Sequence, residues 1–137
     1  MKRILILNGP NLNLLGKYGL SHLKSLSEIN EEIQAINQKH EIIIKQSNSE
    51  GQLIDLIHEN DFDILAANLS SFEFTSIAIR DAITSISKPF YRIVFDNIFY
   101  HSNRIKDFNQ FSYFNDISKK TFIGKNETPY LEFLSYI

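Results

Sequence analysis

The feature that most constrains this chain is a repeated alternation of short apolar runs with segments of helical period. Ile4 to Leu7 is continuously apolar rather than alternating, which suits a strand covered on both faces, and Gly9-Pro10 ends it abruptly. Ser25 with Glu28 three residues on is a capping-box pattern, and Leu26, Ile29, Ile33 and Ile36 recur at helical spacing, so a helix is expected from about 26 to 38. Glu41 to Gln46 reads as a second strand. Ser49, with Gln52 three residues later, opens a second helix whose apolar face is Leu53, Ile54 and Ile57. Asp63 to Asn68 is a third strand, and the segment from about 74 to 86 carries Ile77, Ala78, Ala82, Ile83 and Ile86 on one side of a third helix. Lys88-Pro89 ends that helix before a fourth strand, Phe90 to Phe95, while residues 98 to 116 have no clean period. Lys120 to Ile123 is a fifth strand closed by Gly124, and Thr128-Pro129 supplies an N-cap with proline at the first helical position. Such alternation calls for an α/β three-layer sandwich, a five-stranded parallel sheet in the order 2-1-3-4-5, in a single domain spanning 1–137.

In that order the switch point lies between strands one and three, where open α/β sheets bind ligands. The loop from Asn8 to Asn13 and the segment Asn68 to Ser71 then face a common crevice. Asn8, Asn11 and Asn13 both donate and accept hydrogen bonds without charge, so they can orient a polar ligand or a water; alternatively they only satisfy the turn backbone. A formal net charge of −2 and scattered basic residues argue against nucleic acid. No cysteine is present, which removes disulfides, thiolate metal sites and a thiol nucleophile and fits a reducing compartment. Apolar runs fall far short of the roughly 20 residues that span a bilayer. Met1-Lys2-Arg3 leads straight into a strand rather than a signal sequence, so a cytoplasmic protein without a membrane partner is expected. His58 on helix two is read as structural and His40 as lying at a helix end, and the histidine spacing offers no metal cluster.

Asn8-Gly9-Pro10-Asn11-Leu12-Asn13-Leu14-Leu15-Gly16 resembles the signature loop of the type II 3-dehydroquinate dehydratases. Gln46 to Glu59 is similar to that family's second strand-to-helix junction, Thr75 to Ala82 to its third helix, and Ser112-Tyr113 and Gly124 to Tyr130 to its closing elements. The resemblance implies a flavodoxin-like fold, a small-molecule substrate, no cofactor and a trimer-based homo-oligomer, up to a dodecamer. It further implies elimination of water through an enolate by a tyrosine base, an asparagine that holds a water, and a histidine acid backed by glutamate. A phenol near pKa 10 is a poor base at neutral pH unless cations lower it, so arginines matter as much as the tyrosine. By this resemblance Asn11 holds the water and Asn68 contacts the substrate carboxylate.

The chain departs from the family at several positions. The family's Leu-Leu-Gly-x-Arg-Glu-Pro-x-x-Tyr-Gly becomes Leu14-Leu15-Gly16-Lys17-Tyr18-Gly19, which offers Tyr18 as base, while anchoring on Ser25-Leu26 puts Ser21 or His22 nearer the tyrosine's place. Lys17 does not reproduce a guanidinium fork. On strand four the supporting glutamate is Arg92, the acid histidine is Val94 and the carboxylate-binding serine is Asp96. Phe74 replaces a further histidine, with Glu73 beside it, and the arginine-rich segment aligns with Ile105 to Asn109. The candidate catalytic residues are therefore Asn11, Tyr18, Glu73, Asp96 and His101. Candidate substrate contacts are Asn8, Asn13, Asn68, Ser70, Ser71 and Phe74, together with Asp81 on helix three and Arg92, Val94, Phe95 and Asn97 at strand four. Nine aromatics between 90 and 114 either make the crevice more apolar or serve as core and interface packing.

Three readings follow: a homologue with an altered site that performs a cofactor-free proton transfer, dehydration or cyclisation on a small, less anionic substrate; a weak 3-dehydroquinate dehydratase; or a non-catalytic binding or scaffold protein.

Overall fold

In the computed structural model of the protein, residues 1–37, 39–96 and 112–137 are described. The strands are β1 (Arg3–Asn8), β2 (Glu41–Gln46), β3 (Ile64–Asn68), β4 (Phe90–Phe95) and β5 (Thr121–Gly124), and they form one sheet in the order β2-β1-β3-β4-β5. Every neighbouring pair is parallel. The helices are α1 (Leu26–Ile36), α2 (Glu50–Glu59), α3 (Ile77–Ile86) and α4 (Thr128–Tyr136).

Successive side chains of a strand point to opposite faces, and here both faces are buried. Ile4, Ile6, Ala66, Tyr91 and Ile93 pack with Ile29 and Ile33 of α1 and Tyr130 and Phe133 of α4. Leu5, Leu7, Leu65, Ala67 and Phe90 pack on the other side with Leu53 and Ile57 of α2 and Ile79 and Ile83 of α3. This double burial is why β1 and β3 read as continuous apolar runs. Phe90, Tyr91, Phe95 and Phe114 lie in these cores, so for them packing is the observed role. Phe99, Tyr100, Phe108 and Phe111 lie outside the described residues.

Helix starts follow the caps. Ser25 and Glu28 form the reciprocal capping box, and the Ser49 hydroxyl accepts the Gln52 N–H. Two helix starts differ from the sequence expectation. Ser70–Phe74 forms a 3₁₀ turn, and α3 begins only at Ile77 because the Ser76 hydroxyl caps it by accepting from the Ile79 N–H. Thr128 is already helical; Glu127 is the N-cap residue, without a side-chain capping bond.

Candidate functional site

The C-terminal ends of three strands place three amides side by side: Gln46 is in register with Asn8, and Asn8 with Asn68. At the switch point the chain leaves β1 close against the end of β3. The Gly9 N–H donates to the Asn68 carbonyl over 2.8 Å. A Cβ on Gly9 would sit 2.5 Å from the Leu69 carbonyl oxygen, so this approach requires glycine.

Asn8 and Asn68 are buried and joined from below by α4. The Asn68 amide donates to the Tyr130 hydroxyl over 3.2 Å, and that hydroxyl donates to the Asn8 amide oxygen. Tyr130 is fully buried, and burial pushes its phenol above the ordinary range, so it stays a neutral donor. Asn8 Nδ2 is buried without a hydrogen-bond partner among the described residues. Phe95 packs edge-on against the Tyr130 ring, with centroids 5.8 Å apart.

Asn11 sits above this floor in the left-handed conformation, φ 68°, at the start of the Leu12–Leu14 turn, and its side chain makes no capping bond. Its backbone N–H donates to Asn48 Oδ1 over 2.9 Å. Gln46 Nε2 reaches the Gly9 carbonyl at 3.2 Å, Asn48 Oδ1 at 3.1 Å and Asn13 Oδ1 at 3.5 Å. Tyr18 lies further along, 84% exposed and also left-handed at φ 49°. Its hydroxyl takes part in none of the ion pairs or hydrogen bonds among the described residues.

The other side of the site is a buried charge cluster. Glu73, only 4% exposed, accepts from Arg92 Nε over 2.5 Å and from the Ser112 hydroxyl over 2.6 Å. Its backbone carbonyl accepts the Tyr113 N–H over 2.9 Å. Arg80 holds the same segment, donating to the Tyr113 carbonyl over 2.6 Å and gripping Asp116 with both nitrogens of its fork. Burial pushes the Glu73 carboxyl above its ordinary range, with Arg92 and Ser112 pulling the other way. Glu73 Oε1 and Arg92 Nε are thus committed to each other, while Glu73 Oε2 is buried without a hydrogen-bond partner among the described residues. Val94, two residues on from Arg92 and on the same face of β4, is half-buried.

Of the remaining candidates, Ser70 is left-handed at φ 53°, Ser71 and Phe74 are half-buried, and Asp81 is exposed on α3. Asp96 is exposed, with its N–H donating to the Gly124 carbonyl over 2.9 Å. Asn97 and His101 lie outside the described residues. Gln46, Asn48 and Tyr130 were not singled out from the sequence. Tyr130 is hidden there by the helical period it shares with Phe133, whereas Gln46, a polar residue closing an apolar strand, was a usable signal.

A flavodoxin-like sheet with strand-end amides gathered at its switch point is of the class of α/β folds that bind ligands there. The family model for dehydroquinase class II matches residues 2–137, and the chain belongs to that family. Among its relatives, 3-dehydroquinate dehydratase of Haemophilus influenzae is 37% identical over 134 residues, covering 93% of this chain and 87% of that protein. The 3-dehydroquinate dehydratase of Histophilus somni is 37% identical over 140 residues, covering 98% and 91%. The crystal structure of type II dehydroquinase from Propionibacterium acnes superposes with a TM-score of 0.74 at 23% identity, covering 99% of this chain and 95% of that one.

Proposed function

We propose that this dehydroquinase homologue carries out a cofactor-free proton transfer, dehydration or cyclisation on a small substrate less anionic than 3-dehydroquinate. The observation that supports this reading is the closed Glu73–Arg92 pair beside the apolar Val94. With Arg92 Nε committed to Glu73, one donor of the guanidinium is lost to a substrate carboxylate, and valine has no proton to give. Asn11 with Asn8, Asn13 and Asn68 remains to orient the substrate, and Tyr18, Glu73, Asp96 and His101 are the groups available to move protons. A second reading, dehydration of 3-dehydroquinate itself, is favoured by the relatives, which carry that name at up to 37% identity. It has to do without several effects each worth about 10²-fold.

One assay separates them. Purified protein is given 3-dehydroquinate, and the conjugated enone product is followed by ultraviolet absorbance. Slow or no turnover is expected, and turnover at the rate of an ordinary dehydratase would establish the second reading and overturn the first. A ligand that binds and is recovered unchanged would point instead to a non-catalytic binding protein. The proposal extends to a cytoplasmic homo-oligomer built from trimers. No helix among the described residues is long and apolar enough to cross a membrane.

A further inference from the structure

The loop that carries Asn11 has a problem of backbone conformation. A non-glycine residue with φ 68° is in a sparsely populated region, tolerated best by asparagine, and it persists only when its surroundings hold it there. Within the Leu12–Leu14 turn the holding bonds come after Asn11: the Leu14 N–H returns to the Asn11 carbonyl over 3.0 Å. In front of Asn11 the bond comes from another element, because its own N–H donates to Asn48 Oδ1 over 2.9 Å.

Asn48 stands between β2 and α2, beyond the end of the neighbouring strand. Its oxygen accepts two donors, the Asn11 N–H and Gln46 Nε2 at 3.1 Å. Gln46 Nε2 also reaches the Gly9 carbonyl, 3.2 Å away, and more distantly Asn13 Oδ1 at 3.5 Å. The β2 end thus grips the crevice loop at Gly9 and at Asn11, two residues apart. Asn11 makes no side-chain hydrogen bond of its own among the described residues, so the amide is left for a ligand or water while the backbone is fixed.

We propose that Asn48, supported by Gln46, is a positioning residue of the crevice: it locks the Asn11 backbone in the left-handed conformation and so aims the uncommitted Asn11 amide at the bound molecule. The inference rests on the reading of the Asn8–Asn13 loop as the ligand-binding side of the proposed site. What the lock needs is an acceptor oxygen at residue 48, not an amide, so aspartate serves and alanine or leucine does not. Asn48 is exposed, and its substitution leaves both cores untouched.

The test uses Asn48→Ala, Asn48→Leu and Asn48→Asp in the full chain, with the methyl ester of 3-dehydroquinate as probe. The ester keeps the ring, ketone and hydroxyls but removes the charge that a new aspartate would repel. Calorimetric titration at millimolar probe is expected to give binding within about twofold of the parent for Asn48→Asp and about fivefold weaker binding for the other two, the scale of one hydrogen bond. Adding Asn11→Ala to Asn48→Ala should cost little more than Asn11→Ala alone, because both act through one amide. Fully additive losses, or equal losses for Asn48→Asp and Asn48→Ala, would overturn the inference. Exchange of the Asn11 backbone amide, read by NMR without ligand, supplies an independent arm. It should quicken about fivefold in Asn48→Ala and stay at the parent rate in Asn48→Asp. If the parent protein does not bind the ester, the proposed substrate class fails while the exchange result still decides the role of Asn48; unchanged exchange in Asn48→Ala sinks that role.

Discussion

At the scale of single residues, two buried polar groups carry costs that can be measured separately. The Glu73 and Arg92 side chains are 5% and 11% exposed, so each depends on the other to offset its desolvation. Removing one partner of such a pair costs about 3–5 kcal/mol, whereas replacing both with apolar side chains of similar volume is often neutral. The two single truncations should not be equal. An orphaned Glu73 can take up a proton, but the guanidinium of Arg92 stays charged. Glu73→Met is therefore expected to destabilise more than Arg92→Met, and the double variant less than Glu73→Met, in urea unfolding followed by circular dichroism. An Arg92→Met variant as unstable as Glu73→Met would mean that Glu73 stays ionised in the fold. Tyr130 presents the neutral counterpart. Tyr130→Phe keeps the ring against Phe95 but leaves the buried Asn8 oxygen and Asn68 amide without their shared partner. A loss of about 1–3 kcal/mol is expected, several degrees in Tm for a domain of this size.

At the scale of elements, the junction of β1 with the segment after β3 is held by backbone rather than by side chains, and Gly9 makes it possible. Gly9→Ala would force a Cβ into the Leu69 carbonyl, costing about 1–3 kcal/mol and loosening the crevice, while Gly19→Ala, with open space at its Cβ, should be nearly neutral. Thermal melts of the two variants side by side check this, and equal melting temperatures would show that the junction yields. That pairing of loops was legible in the sequence only in outline. The strands and their order were readable because β1 and β3 are apolar on both faces, the others are short runs rich in β-branched or aromatic residues, and each early helix has a capping serine, local signals that tertiary packing reinforces. The start of α3 was misplaced because Phe72 and Phe74 extend an apolar pattern into a 3₁₀ turn that only the Ser76 cap ends. Thr128 looked like a cap because Pro129 follows it, yet Glu127 takes that place. The candidate site was less legible still. Asn8, Asn11 and Asn68 could be placed from the switch-point rule, but nothing in the sequence says that Glu73 bonds to Arg92 or that Asn48 holds Asn11. Those contacts join residues far apart in the chain, and periodicity carries no information about them.

For the whole molecule, stability against pH sums groups that pull in opposite directions. The Arg3 N–H holds the Asp63 carboxyl below its ordinary range, Arg80 does the same for Asp116, and Glu127 is lowered by its own backbone N–H and then by Lys24. A carboxyl lowered in the fold adds stability that is present above its unfolded value, about pH 4, and is lost as pH falls through the lower folded value. His40, lowered first by burial, acts in the same sense nearer pH 6.5: its contribution disappears as pH drops and it must charge. Glu73 runs the other way. Its folded value is raised, so its contribution is fully present below the unfolded value and is lost as pH rises through the folded one. The net curve should still fall in acid, since the lowered groups outnumber it and the Lys24, Arg3 and Arg80 partners stay charged throughout. Glu73→Gln isolates the opposing group, because glutamine keeps an acceptor for Arg92 and Ser112 but cannot ionise. The difference in Tm between parent and Glu73→Gln should be most favourable to the parent in mild acid and shrink as pH is raised from about 4 toward neutrality. A difference that instead grows over that interval would mean that Arg92 outweighs burial and that Glu73 is ionised wherever the protein is folded. It would then serve as a fixed counterion for Arg92, and the proton-moving candidates would reduce to Tyr18, Asp96 and His101.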